Sequence, residues 1–177
     1  GTMCKPFHAG RASQAGLMAA LLAGMGFTSA EDAVEGPQGF FETLRGTVKE
    51  DVIGMLGLGW DVVNLSQKYH ASCHATHSPM EASLAAVNDN AIKPDEIETI
   101  TVHASELALQ AAGKRTPGHG LEGKFSIPYC VANTLIRGVT GMKAFTDEAV
   151  NDPEVRGFME KIEVVHDGSM KALESLV

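Results

Sequence analysis

Up to Leu56 the apolar residues of this 177-residue chain recur with helical spacing or sit in turns, and beyond Gly59 they do not. Between Pro6 and Met25, Phe7, Ala12, Ala15, Leu17, Met18, Leu21, Leu22 and Met25 follow the i, i+3, i+4 recurrence of a helix, and Gly26 stands where a left-handed residue ends one. Ala9, Gly16, Ala19, Ala20 and Ala23 fill much of the rest, which lets neighbouring helices approach closely, so the expectation is a buried helix of a bundle. Thr28 with Glu31 three residues on forms a capping box and predicts a second helix, and "GFFETLRG" and "VKEDVIGML" predict two more. At "GLGWDVVNLSQKY" the texture changes: glycines punctuate, and Trp60, Val62, Val63 and Leu65 suit a strand. A domain boundary is expected near Gly57 to Gly59.

Beyond it, helix and strand interleave. Ser78 as N-cap, Pro79 at the first helical position and Glu81 at the third predict a helix to about Asn88. Thr99 to His103 predicts a strand, "AAGKRTPGHGLEG" a long loop, and "KFSIPYCVANTLIRG" a helix entered through Pro128 and closed by Gly138. Asp152-Pro153-Glu154 caps another short helix, and "KIEVVHD" is a last strand. The predicted fold class is α+β: a helical segment of an all-α domain over 1–57, followed by a smaller mixed α+β domain over 58–177.

Apolar residues make up 44% and charged ones 20%, ordinary for a soluble globular protein. A net charge of −8 argues against nucleic acid or an anionic membrane surface as partner, because both require clustered Lys and Arg. "AGLMAALLAGMGF" is too short to span a bilayer. Three cysteines without paired spacing read as reduced thiols in a cytosolic or matrix-like compartment, and the expected location is cytoplasmic. The abrupt opening at Gly1 and the stop soon after the last strand raise the expectation of a segment from a longer protein.

The chemistry concentrates in "KYHASCHATHSP", Lys68 to Pro79, which holds a lysine, a tyrosine, a cysteine and three histidines with no carboxylate. His70, Cys73, His74 and His77 offer four zinc ligands, but structural zinc sites usually draw two pairs from separated segments. Cys73 beside His74 would need its base to meet the sulfur across space. A third reading is a carboxylate receiver: Lys68 and imidazole N–H groups ahead of a helix N-terminus, with a histidine poised for acid–base work near neutrality. The plain alternative is that the histidines satisfy buried polar groups around a turn. At the head of the first helix, Lys5 and His8 lie one turn apart with Arg11 beyond, either solvated or aimed at an anion. Tyr129 on the "FSIPYCVANTL" helix is either core or a proton donor.

"KPFHAGRASQAGLMAALLAGMGFT", "KYHASCHATHSPMEA" and "EGKFSIPYCVANTLIRG" together resemble, in order and separation, the MmgE/PrpD family of 2-methylcitrate dehydratases, cis-aconitate decarboxylases and iminodisuccinate epimerases. The "KPFHAG" form is closer to the decarboxylase and epimerase branch. The resemblance implies a lyase or isomerase that removes a proton next to a carboxylate of a small di- or tricarboxylic acid, without metal or organic cofactor, as a homodimer. It implies catalytic roles for His74, Lys5, Lys68 and Tyr129, with His8 and His77 as substrate-binding residues. It also implies that further family histidines lie N-terminal to this segment, so the chain by itself is expected to be inactive. The competing expectation is a non-catalytic binding or assembly module.

Overall fold

A computed structural model of the chain describes residues 2–47, 51, 54–55 and 57–170. Two units are resolved by their internal contacts, Met3–Ser66 and Gln67–Val177.

The first unit is dominated by α1 (Cys4–Gly24), which has no buried residue. Pro6 is accommodated in its first turn, where backbone N–H groups have no intrahelical partner to lose. Its C-terminus closes as expected: Gly26 takes φ +88°, and the Phe27 N–H reaches back to the Leu22 carbonyl at 3.0 Å. The expected burial is not found. Leu17, Leu21 and Phe7 remain 64%, 59% and 66% exposed, because no described element of the chain covers them.

Two further expectations are corrected in this unit. The capping box at Thr28 starts no helix, and residues 31–35 form turns instead. Gly36 and Pro37 end the segment after a few residues, too few to repay helix nucleation. Trp60 to Leu65 form no strand; Asp61–Asn64 is a 3-10 turn, closed by Val63 N–H to the Trp60 carbonyl at 3.1 Å. Among the described residues no second strand pairs with it, and the backbone bonds locally. The short helix in "GFFETLRG" is present as α2 (Phe40–Thr43). "VKEDVIGML" lies largely outside the described residues.

The second unit is α+β. α3 (His77–Asp89) leads to β1 (Ile100–Ala104), and then α4 (Glu106–Ala112) and α5 (Gly120–Gly123) follow. α6 (Ile127–Arg137), α7 (Asp147–Val150), α8 (Pro153–Met159) and β2 (Ile162–His166) complete it. β1 and β2 pair in parallel, with Ile100 opposite Ile162 and Ala104 opposite His166, so the intervening helices form one crossover connection.

α6 is the core of this unit: every residue from Ile127 to Thr134 is buried. The Ser126 hydroxyl caps it by accepting the Tyr129 N–H at 3.2 Å, and Gly138 ends it in the left-handed conformation at φ +64°. The predicted Asp152 cap of α8 is also present, its carboxylate accepting the Glu154 N–H at 2.9 Å. Arg137 at the end of α6 grips the same carboxylate at 2.7 Å, tying one helix end to the next start. α5 packs so tightly that a Cβ at Gly120 would collide with the Phe145 carbonyl. The "AAGKRTPGHGLEG" stretch is therefore not a continuous loop: α4 enters it, capped by Ser105, and α5 leaves it. Among the described residues no helix is long and apolar enough to cross a membrane.

Candidate active site

The segment from Lys68 to Thr76 is pinned to the core by its backbone. Ala71 N–H bonds the Thr140 carbonyl at 3.1 Å, and Cys73 N–H bonds the Lys124 carbonyl at 2.8 Å. The Ser72 and Thr76 hydroxyls meet at 2.6 Å inside the protein, and Thr76 also donates to the Cys73 carbonyl at 2.7 Å. His74–Thr76 forms a 3-10 turn that runs directly into α3, so the helix begins at His77 and Ser78 is not its N-cap. The predicted start is thus displaced by the pre-turn, which Thr76 stabilises through its own hydroxyl. Glu81 does not reach back to a cap; it turns toward His70 instead.

That local geometry collects the three histidines. The His70 and His77 rings meet edge to face with centroids 4.9 Å apart, and His74 and His77 lie 5.2 Å apart. His70 is 2% exposed and its Nε2 lies 2.7 Å from Glu81 Oε1. Going outward the rings become more accessible: His77 is half-buried and His74 exposed. Burial pushes the His77 pKa below the ordinary imidazole value, and the neighbouring charges of His70, His74 and Lys68 push the same way; a hydrogen bond to the Ser72 backbone opposes them. Among the described residues no group of three or more His, Cys, Asp or Glu is placed to hold a metal ion. Cys73 serves the turn through its backbone.

His74 and Cys73 stand at the head of a groove of about 640 Å³ between α3, β1 and α4, floored by residues such as Pro79, Ala82, Val102 and Leu107. A second hollow of about 460 Å³ is lined by Lys68, His70 and Lys124, with no carboxylate in its wall. Lys68 Nζ donates to the Ser72 carbonyl at 2.8 Å, which folds the ammonium over the histidine segment. The nearest partner of Lys124 Nζ is the Met142 thioether at 3.5 Å, a weak acceptor.

Of the residues expected from sequence, Lys68, His74 and His77 are gathered on this one segment. Tyr129 is in the same unit but fully buried: its hydroxyl donates to the Ala144 carbonyl, its ring meets Phe145 at 6.0 Å, and burial pushes its pKa well up. Lys5 and His8 lie exposed in the first turns of α1, in the other unit. Sequence reasoning missed the pairing of His70 with Glu81 and the presence of Lys124. The first had a readable signal, since Glu81 stands one helical turn beyond His77; the second depends on a tertiary backbone bond and had none.

Residues 70–175 match the MmgE/PrpD C-terminal domain and residues 1–51 the MmgE/PrpD N-terminal domain. The chain is 26% identical over 174 residues to cis-aconitate decarboxylase of Mus musculus, an alignment that takes in 93% of this chain and 35% of that protein. It thus spans about a third of the length of this curated relative. With the C-terminal domain match alone covering more than half of it, the chain belongs to the MmgE/PrpD family.

Proposed function

We propose that this chain carries part of the active site of a lyase or isomerase acting on a small di- or tricarboxylic acid, by proton transfer next to a carboxylate. The observation that carries this reading is the exposed His74 at the head of a groove, backed at 5.2 Å by a second imidazole that is held by a third. His74 acts as general acid or base, a role that imidazole side chains commonly fill near neutral pH. Lys68 holds a substrate carboxylate, and His77 positions His74 from behind. Carboxylate binding is also assigned to Lys5 and His8. Tyr129 is kept in the proposal as a residue that positions the segment through the core, a task its buried hydroxyl suits better than proton shuttling.

The name of the mouse relative favours loss of carbon dioxide over dehydration or epimerisation. Cys4, Cys73 and Cys130 are thiols rather than disulfides, and the family reading includes a homodimer in the cytoplasm. The chain alone is expected to show little or no turnover of cis-aconitate, 2-methylcitrate or iminodisuccinate. A polypeptide extended to the length of the mouse relative is expected to turn over one of them, and His74→Ala in it to lower kcat by roughly 10²-fold or more. Undiminished turnover by that variant would overturn the assignment of His74. The wholly exposed α1 supports a second reading, a non-catalytic binding or assembly module; it prevails if the extended polypeptide is inert toward all three acids.

A further inference from the structure

Two ring nitrogens in the histidine cluster are buried without a hydrogen-bond partner: Nδ1 of His70 and Nε2 of His77. They belong to rings whose centroids lie 4.9 Å apart at an interplanar angle of 78°, a separation that also accommodates two imidazoles joined by an N–H···N bond. Their chemistry is complementary. On His70, Nε2 is committed to the Glu81 carboxylate and therefore bears hydrogen. On His77 the Ser72 backbone acts as a hydrogen-bond acceptor, and with Nε2 lacking a partner that bond falls to Nδ1–H. His77 Nε2 is then an acceptor without a donor, and a proton on His70 Nδ1 would supply that donor. Two orphaned buried groups, each costly alone, would satisfy one another.

We infer that Glu81, His70 and His77 form one hydrogen-bonded chain ending on the Ser72 carbonyl, in which Glu81 and His70 are positioning residues that fix the tautomer and orientation of His77. Glu81 Oε1 accepts from His70 Nε2–H, His70 Nδ1–H donates to His77 Nε2, and His77 Nδ1–H donates to Ser72. Carboxylates behind metal-bound and catalytic histidines orient imidazoles in the same way. The consequence for the site rests on the proposed function: His77 is kept from taking a proton, so the proton that His74 exchanges with substrate has one place to reside. The groups bearing on His77 are His70, His74 and Lys68, with Glu81 one turn along α3; on α6, packed beneath, the Cys130 thiol faces Ser72 and Thr76 rather than the rings.

Long-range ¹H–¹⁵N correlation spectra of the imidazoles in the full 177-residue chain at neutral pH test this directly. The expected pattern is an Nδ1–H tautomer for His77 with an unprotonated Nε2, and a doubly protonated His70. An Nε2–H tautomer or a charged ring at His77 overturns the chain. Glu81→Gln adds a test of sign. A carboxylate acting directly on His77 would, once neutralised, lower the pH at which His77 protonates. A carboxylate acting through His70 would raise it, because His70 then gives up the charge that opposes His77; the expected rise is on the order of half a unit. An unchanged or lowered midpoint overturns the inference, and if the variant does not fold, the wild-type tautomers decide alone. None of these readouts depends on turnover, so failure of the catalytic reading in the His74→Ala assay remains separate.

Discussion

Thr76 shows what the histidine segment depends on. It is fully buried, and its hydroxyl joins the Ser72 hydroxyl and the Cys73 carbonyl. Thr76→Val keeps the shape and removes both bonds, leaving the buried Ser72 hydroxyl without that partner while the Cys73 carbonyl keeps the Thr76 N–H at 2.9 Å. Urea unfolding is expected to show a loss of about 1–3 kcal/mol. His77 predicts a pH dependence whose sign follows from its burial. Its folded proton affinity is depressed, so the unfolded chain binds the proton more readily. Its contribution to stability is complete above the ordinary imidazole value of about 6.5 and declines as pH falls from there to the depressed folded value. Denaturant midpoints measured from pH 7.5 to 5 should fall for the wild type and fall less for His77→Gln. At this scale the sequence made Lys68, His74 and His77 visible because they share one short segment. The pairing of His70 with Glu81 had a readable signal in the spacing of Glu81 from His77, but reading it required the 3-10 turn that starts α3 at His77.

Among the elements, the helix entered through Pro128 and closed by Gly138 and the helix capped by Asp152 were found where expected, whereas the Thr28 capping box starts no helix and Ser78 is not the cap of α3. α6 starts at Ser126 and ends at Gly138, α8 starts at Asp152, and both strands fall within a residue or so of their predicted positions. Such signals are local, acting through bonds to the next few backbone groups, and a single sequence carries them in full. Errors arose where tertiary context decided. Trp60 to Leu65 has strand composition but no partner strand, whereas the seven residues of α4 are held by the Ser105 cap and by packing on β1's side of the groove. The Ser126 cap allows a direct measurement. Its hydroxyl is buried, so Ser126→Ala removes the bond to Tyr129 N–H with no water to replace it. The expected cost is about 1–2 kcal/mol in urea unfolding, the upper part of the range for cap removal. Ser78→Ala, at the position that sequence alone marks as a cap, should cost no more than about 0.5 kcal/mol.

For the whole molecule, apolar patterning and apolar burial part company. α1 carries the pattern of a core helix, yet Leu17, Leu21 and Phe7 are mostly exposed, while the second unit buries α6 almost completely. Pattern records what a helix face is suited to contact; burial records what the chain itself brings to it. The α+β class of the second unit was legible because strand and helix signals alternate within a segment that supplies its own core. The bundle around α1 was not realised because the small, apolar faces of a helix do not say which polypeptide covers them. This difference sets up opposite outcomes for one substitution. In the chain as it stands, Leu21→Ala removes a side chain that is 59% exposed, and its cost in denaturant unfolding should be within about 0.5 kcal/mol. In a polypeptide extended to the length of the mouse relative, a helix of this pattern should be covered, and the same change should cost about 2–5 kcal/mol, as for leucines removed from cores. Equal, small costs in both would mean that α1 stays exposed and is kept for a partner, which would favour the assembly reading. A large cost only in the longer polypeptide would place α1 in the core of a complete domain.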